Sequence, residues 1–442
     1  MKIIQEADKK VIELLNEKFV DKVDLSEGYK ISQYCKEVVI ENIICVYNTL
    51  TCQMVEISTY EKEEFYNSDF AKENYFSFPK TVSEKDISTY VRNCLKIKRE
   101  DVRKYTIYTT TNCNARCFYC FEKGANMINM TIETADDVIK YIDRTSGNQP
   151  LELSWFGGEP MVNTKVIDYI CDYYKENNRD FYSTMVTNAY LLNEDNVNRA
   201  LDKWNLKWVL ITVDGYKEDY NKIKAYANGD KDSFSVVMDN INYMLDKGIE
   251  VVITVRANGS NEESIMHLID YLADRFPRYN NLKVNCQLIH VKSAGKYIED
   301  AENLDKKMNV AQKNILNKLY ESGLFNYTVP KNFKVFQCDS VSGKASNIHP
   351  DGKIACCLCY MEEANIGDVN NEMINNDVIK QFEELYDEEK HCEKCMFLPQ
   401  CIKLLKCDNA GPWCSEKRRN SMNTRVELQM KNTFALFESK EK

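Results

Sequence analysis

Six short apolar runs, each followed by a stretch with helical periodicity, fill residues 103–290. The runs fall at 105–108, 151–156, 184–187, 208–213, 251–255 and 282–288. Between them lie stripes such as Val138, Ile139 and Ile142, or Val166, Ile167, Ile170 and Tyr174. Phe234, Val237, Met238, Ile241 and Leu245 recur at i, i+3, i+4, i+7 and i+11, the spacing of an amphipathic helix. Repeated β-α-β predicts an α/β fold with a parallel sheet and right-handed crossovers. In barrels of this kind chemistry sits on the loops that follow the C-terminal strand ends.

The flanks read differently. Residues 1–98 read as a small α+β module: Val11, Leu14, Leu15 and Val20 mark a helix, and residues 43–47 and 54–57 flank a polar Asn48-Thr49-Leu50-Thr51 turn, a hairpin pattern. A helical bridge is expected near 300–325 and a charged closing helix near 415–437. The net charge of −10 argues against nucleic acid, whose affinity comes from basic residues on phosphates. No run has membrane-spanning length and the first residues lack a signal-peptide apolar segment, so the expected location is cytoplasmic. Eighteen cysteines in a long chain without a signal read as metal ligands. Cys35, Cys45, Cys52, Cys94, Cys171 and Cys286 are scattered and read as small apolar core residues.

Three cysteines are not scattered. Cys113-x3-Cys117-x2-Cys120 follows the first strand directly. Thiolates are soft ligands suited to iron–sulfur clusters, which normally take four. Three leave one iron open to a small molecule. A zinc knuckle is the competing reading, but it needs a fourth Cys or His in range, and His267, His290, His349 and His391 are all far along the chain. One β/α unit later comes Trp155-Phe156-Gly157-Gly158-Glu159-Pro160, where the glycines allow close backbone approach and Glu159 offers a carboxylate.

Together these motifs resemble the radical S-adenosylmethionine (SAM) enzymes. The resemblance implies a partial (β/α)6 TIM-type barrel over residues 99–325, with Cys113, Cys117 and Cys120 holding a [4Fe–4S] cluster that binds SAM. It places Tyr119 near the adenine, and Gly157, Gly158 and Glu159 at the SAM ammonium. Thr187 and Asn188 would contact the ribose, although the family usually has glycine where this chain has Ala189. Arg256 would pair with the SAM carboxylate. Val213-Asp214-Gly215 also matches in position, but Tyr220 and Lys224 stand where histidine and arginine are frequent and receive no role.

Residues 326–442 resemble the SPASM iron–sulfur extension of such enzymes. Cys338, then Gly352-x4-Cys357, then Cys392-x2-Cys395-x5-Cys401 follow its pattern, while the interval to Cys407 departs from it. By resemblance Cys392, Cys395, Cys401 and Cys414 hold one auxiliary cluster, and Cys338, Cys357 and Cys407 the other. Its fourth ligand is Cys356, Cys359 or a substrate thiolate, and Cys359 is preferred because it shares a strand face with Cys357. Two four-cysteine zinc sites are the alternative. The expected cofactors are therefore SAM and three [4Fe–4S] clusters. Residues 1–98 weakly resemble winged peptide-recognition domains, and the bland alternative is an extension that only packs on the barrel. The resemblance implies a maturase that draws hydrogen from a ribosomal precursor peptide and forms a thioether or carbon–carbon crosslink, fed by an electron donor such as flavodoxin or ferredoxin. A formylglycine-forming sulfatase-type maturase and a non-enzymatic electron-transfer protein are the alternatives.

Overall fold

The computed structural model describes residues 1–19, 24–95, 104–120, 122, 126–227, 232–277, 279–288, 301–334, 345–358, 361–371, 373–383, 392–401 and 416–441. The N-terminal module holds β1 (Lys2–Gln5), α1 (Lys9–Phe19), β2 (Tyr29–Ile31), β3 (Cys35–Ile40), β4 (Ile43–Asn48), β5 (Met54–Ser58), α2 (Lys62–Asn67), α3 (Asp69–Glu73), β6 (Ser77–Pro79) and α4 (Glu84–Leu95). The expected hairpin is β4–β5, paired from Ile43↔Ser58 to Tyr47↔Met54 within a four-stranded antiparallel sheet of order β1-β5-β4-β3.

The barrel follows: β7 (Lys104–Thr110), α5 (Ile132–Thr145), β8 (Leu151–Gly157), α6 (Thr164–Glu176), β9 (Phe181–Thr187), α7 (Glu194–Trp204), β10 (Leu206–Val213), α8 (Lys217–Lys224), α9 (Ser233–Asp246), β11 (Glu250–Ala257), α10 (Glu262–Arg275), β12 (Leu282–Leu288) and α11 (Ala301–Glu321). Strands β7 to β12 lie side by side in sequence order, every pair parallel. This is the sheet of a partial barrel in an α/β fold. Alternate strand residues divide the two faces. Ile107, Leu153, Trp155, Met185, Val209, Ile211, Ile253 and Val255 enter one buried core with helix residues such as Val138, Ile167 and Ile241. Each fully buried aliphatic side chain contributes roughly 1.5–3 kcal/mol, so this face dominates the stability of the domain. Thr106, Tyr108, Ser154 and Phe156 stand on the other, inner face by the same alternation. Caps set helix starts locally: Thr131 Oγ1 accepts from Thr134 N at 3.1 Å before α5, and Asn193 Oδ1 from Asn196 N at 3.0 Å before α7.

The C-terminal region contains β13 (Ala345–Ile348), β14 (Lys353–Ala355), β15 (Asn365–Asp368), α12 (Asn376–Glu383) and α13 (Glu416–Glu441). Strand β13 pairs in parallel with β7, from Ala345↔Lys104 to Ile348↔Ile107, so the sheet runs through the expected boundary at 325/326 without a break. The Pro350-Asp351-Gly352 turn joins β13 to antiparallel β14. The N-terminal module packs on C-terminal segments. Its core of Val11, Leu15, Tyr34, Tyr47 and Phe78 also contains Val329, Phe333, Cys392, Leu398 and Met430. Arg92 Nη1 donates to Leu398 O at 2.8 Å, Thr49 Oγ1 to Met396 O at 2.5 Å, and Gln400 Nε2 to Thr49 O at 2.7 Å. No described helix is long and apolar enough to cross a membrane.

Candidate active site

The C-terminal end of β7 runs straight into the cysteine loop. Thr111 N donates to Ile128 O at 2.9 Å and Met130 N to Thr109 O at 3.0 Å, so the two legs of the loop are zipped at its base. Cys113, Cys117 and Cys120 are half-buried, with free thiols. Burial pushes the Cys113 thiol up to about 11, with Cys117 and Cys120 close enough to add to the rise. Among the described residues no three His, Cys, Asp or Glu side chains gather around one point as for a single metal ion. The donor set on the loop is three soft thiols, the chemistry of an iron–sulfur cluster with one iron left over.

The Gly157-Gly158 turn is zipped to this loop. Gly158 N donates to Thr110 O at 3.0 Å and Glu159 N to Asn112 O at 2.9 Å. A Cβ on Gly157 would lie 2.0 Å from Thr110 O, and one on Gly158 2.4 Å from Asn112 O. Gly157 also has a φ of 120°, closed to other residues. The glycines are thus demanded by the chain's own backbone, a reason the sequence reading, which looked to a ligand, did not contain. Glu159 likewise turns inward. It is fully buried, and its carboxylate accepts from Thr187 Oγ1 at 2.7 Å, Asn188 N at 2.8 Å and Met161 N at 3.2 Å. Burial raises its carboxyl to about 6, against the pull of those donors. So Glu159, Thr187 and Asn188 are brought together, with Glu159 as the tie between the ends of β8 and β9.

Asn188 reaches the loop as well, donating from Nδ2 to Asn114 Oδ1 at 2.6 Å. Tyr119 donates to Asp214 Oδ2 at 2.6 Å, and the Arg256 guanidinium lies over its ring, 5.7 Å from the centroid. Asn261 Nδ2 donates to Asp214 O at 2.9 Å and to Arg256 O at 2.8 Å, clamping the ends of β10 and β11. Asn114 Nδ2, Asp214 Oδ1 and Arg256 Nε are buried without hydrogen-bond partners. Two donors and one acceptor left orphaned beside three thiols fit a polar, zwitterionic cofactor, since most buried polar groups in proteins are paired. Sequence reasoning missed Asn114, Asn261 and the pairing of Asp214 with Lys224. The available signal for Lys224 was its i, i+4 spacing from Tyr220, which puts both on one helix face.

The auxiliary positions are reached only in part. Cys338, Cys359, Cys407 and Cys414 lie outside the described residues. Strand β14 ends at Ala355, so Cys356 and Cys357 sit just beyond it and strand alternation does not order them. Cys356 is buried in the main core and its N donates to Ala364 O at 3.0 Å, whereas Cys357 is half-buried. Cys392 is buried against the N-terminal module, and Cys395 and Cys401 are half-buried. Of the scattered cysteines, Cys45, Cys52, Cys171 and Cys286 are buried and Cys35 half-buried, but Cys94 is exposed on α4 and is not a core residue.

Residues 107–272 match the profile of the family described as the Radical SAM superfamily. The chain carries a radical SAM domain. That superfamily uses SAM and a [4Fe–4S] cluster. The chain is 25% identical to an uncharacterised protein of Methanocaldococcus jannaschii over 279 residues, 62% of this chain and 91% of the relative. The radical SAM cyclopropyl synthase TigE of Paramaledivibacter caminithermalis is 23% identical over 347 residues, 69% of this chain and 68% of TigE. Among solved structures, anSMEcpe with bound AdoMet superposes with a TM-score of 0.57 at 16% identity, covering 76% of this chain and 99% of that one. Streptococcus suis SuiB bound to precursor peptide SuiA gives a TM-score of 0.50 at 12% identity, covering 85% and 95%. These two likenesses concern the fold.

Proposed function

We propose that this chain is a radical SAM maturase that acts on a ribosomally made precursor peptide and closes a thioether or carbon–carbon crosslink in it. The carrying observation is the convergence, on the C-terminal ends of β7 to β11, of three thiols, the Gly157-Gly158 turn and the orphaned polar atoms of Asn114, Asp214 and Arg256. When bound, the cluster and SAM supply a 5′-deoxyadenosyl radical able to take hydrogen from an unactivated carbon. The chain's own work is to bind, orient and exclude water. Cys113, Cys117 and Cys120 would hold the cluster. Arg256 has the charge to take a carboxylate, and Asn188 would present its amide beside the loop. Tyr119, its ring under Arg256, offers an aromatic face to a base. Cys392, Cys395 and Cys401, with the partners named above, would hold auxiliary clusters. The name of TigE supports a carbon–carbon closure, and the SuiA complex of SuiB supports a peptide substrate.

The test is anaerobic reconstitution with iron and sulfide counting. Three filled clusters correspond to about twelve irons per chain. A Cys113→Ala/Cys117→Ala/Cys120→Ala variant is expected to lose about a third of the iron, one cluster of three, and all reductive SAM cleavage. If a small precursor-like peptide is found encoded beside the gene, coexpression with it is expected to remove two hydrogens from that peptide by mass. Stoichiometric zinc without broad visible absorption would refute the reading.

A further inference from the structure

Lys224 and Asp214 form an ion pair that burial makes costly. Lys224 Nζ lies 2.9 Å from Asp214 Oδ2, with Lys224 1% and Asp214 0% exposed. Burial alone would push the lysine pKa down, yet Asp214 and then Tyr119 hold it well above its ordinary value. Buried pairs are often no more stable than apolar residues of the same size, so stability is a weak reason for this one.

Its surroundings supply a better one. Tyr119 donates to the same Asp214 oxygen at 2.6 Å, and Lys224 Nζ donates to Thr212 Oγ1 at 2.6 Å and to Tyr119 Oη at 3.4 Å. The backbone repeats the connection. Arg116 N donates to Lys224 O at 2.7 Å, and Ala227 N to Asn114 O at 2.9 Å. Between them Ala225, with a φ of 44°, turns the chain back at the end of α8. The loop is therefore held from one helix end at Asn114, Arg116 and Tyr119. These positions interleave with Cys113, Cys117 and Cys120.

We propose that Lys224 and Asp214 are positioning residues for the cysteine loop: their ion pair fixes Tyr119, the end of α8 fixes Asn114 and Arg116, and the three thiols are thereby presented together. This rests on the reading that those thiols hold an iron–sulfur cluster.

The test uses the full-length protein reconstituted anaerobically with iron and sulfide. Iron content, the electron paramagnetic resonance signal of the dithionite-reduced protein and the midpoint potential are read for Lys224→Met, Lys224→Arg, Tyr119→Phe and Lys224→Met/Asp214→Asn. The signal from the loop is the one missing in the triple cysteine variant. Lys224→Met is expected to lose about a third of the iron, the share of one cluster in three, because Asp214 keeps a charge without its cation. Lys224→Arg is expected to restore the iron and the signal. The double variant is expected to regain iron but keep an altered signal and potential, since Tyr119 is no longer tied to a carboxylate. Tyr119→Phe, which keeps the ring and should fold, is expected to keep its iron with an altered signal and potential. Wild-type signal and potential in Tyr119→Phe would overturn the proposal, as would a Lys224→Met loss that arginine does not restore. If the wild type takes zinc, the cluster reading fails and this falls with it. If the wild type loads a cluster and the variants match it, this inference alone fails.

Discussion

Glu159 is a buried carboxyl with three hydrogen-bond donors on it, and its charge state is coupled to folding. Its pKa rises from 4.5 to about 6 on folding. A raised carboxyl means that between these values the folded chain keeps a proton the unfolded chain has lost. The resulting stability is complete below pH 4.5 and is lost as pH rises through about 6, roughly 2 kcal/mol for 1.5 units at about 1.4 each. Urea unfolding of the wild type and Glu159→Gln should therefore show a difference that falls across this window and is level above it. A difference independent of pH would show an ordinary carboxyl. Ala189 offers a second test. It is buried with a φ of 62°, a left-handed conformation that costs an L-residue roughly 1–2 kcal/mol. Losing its methyl costs about 0.8 kcal/mol. Ala189→Gly is thus expected to be as stable as the wild type or up to about 1 kcal/mol more stable, and a clear loss in thermal melts would contradict the strain. The missing family glycine was visible in the sequence; the reason for a glycine there, the backbone angle, was not.

Turns and strands that meet across the sheet decide the site at the next scale. The β8 turn and the β7 loop are joined by two backbone hydrogen bonds, at 3.0 and 2.9 Å. A methyl on Gly157 would meet backbone, which cannot give way as the end of a flexible side chain can. Gly157→Ala is expected to unzip the turn and to abolish iron uptake at Cys113, Cys117 and Cys120 while the far-ultraviolet helix signal persists. Full iron loading in that variant would mean the zip is dispensable. The six barrel strands were legible because each is a local apolar run with a helix behind it. The position of β13 was not, because Ala345–Ile348 is a short polar-apolar segment whose partner, β7, lies more than two hundred residues upstream. Only the register Ile348↔Ile107 identifies it as part of the same sheet.

Across the whole molecule the N-terminal module behaves as part of the C-terminal half. Cys392, Leu398 and Met430 share its core, and Arg92, Thr49 and Gln400 bind the two backbones together. Removal of residues 1–95 is expected to expose that core, lower the melting temperature and cost the iron assigned to Cys392, Cys395 and Cys401. Arg92→Ala, which breaks two carbonyl contacts, should do the same in weaker form, since buried carbonyls left unpaired cost about 1–3 kcal/mol each. A truncated chain with full iron and unchanged melting would show the module to be independent.

The sequence by itself determined the α/β class, the order of the barrel elements and the three thiols after the first strand, because periodicity and ligand spacing are local properties that one stretch of chain carries alone. Tertiary structure alone decided that Glu159 faces Thr187 and Asn188, that Lys224 pairs with Asp214 beneath the cysteine loop, and that residues 1–95 pack against Cys392. Those outcomes depend on which strand ends and helix ends come within hydrogen-bonding distance, and on which charges are shut away from water when they do. Contacts between residues tens or hundreds of positions apart leave no periodic trace in the chain.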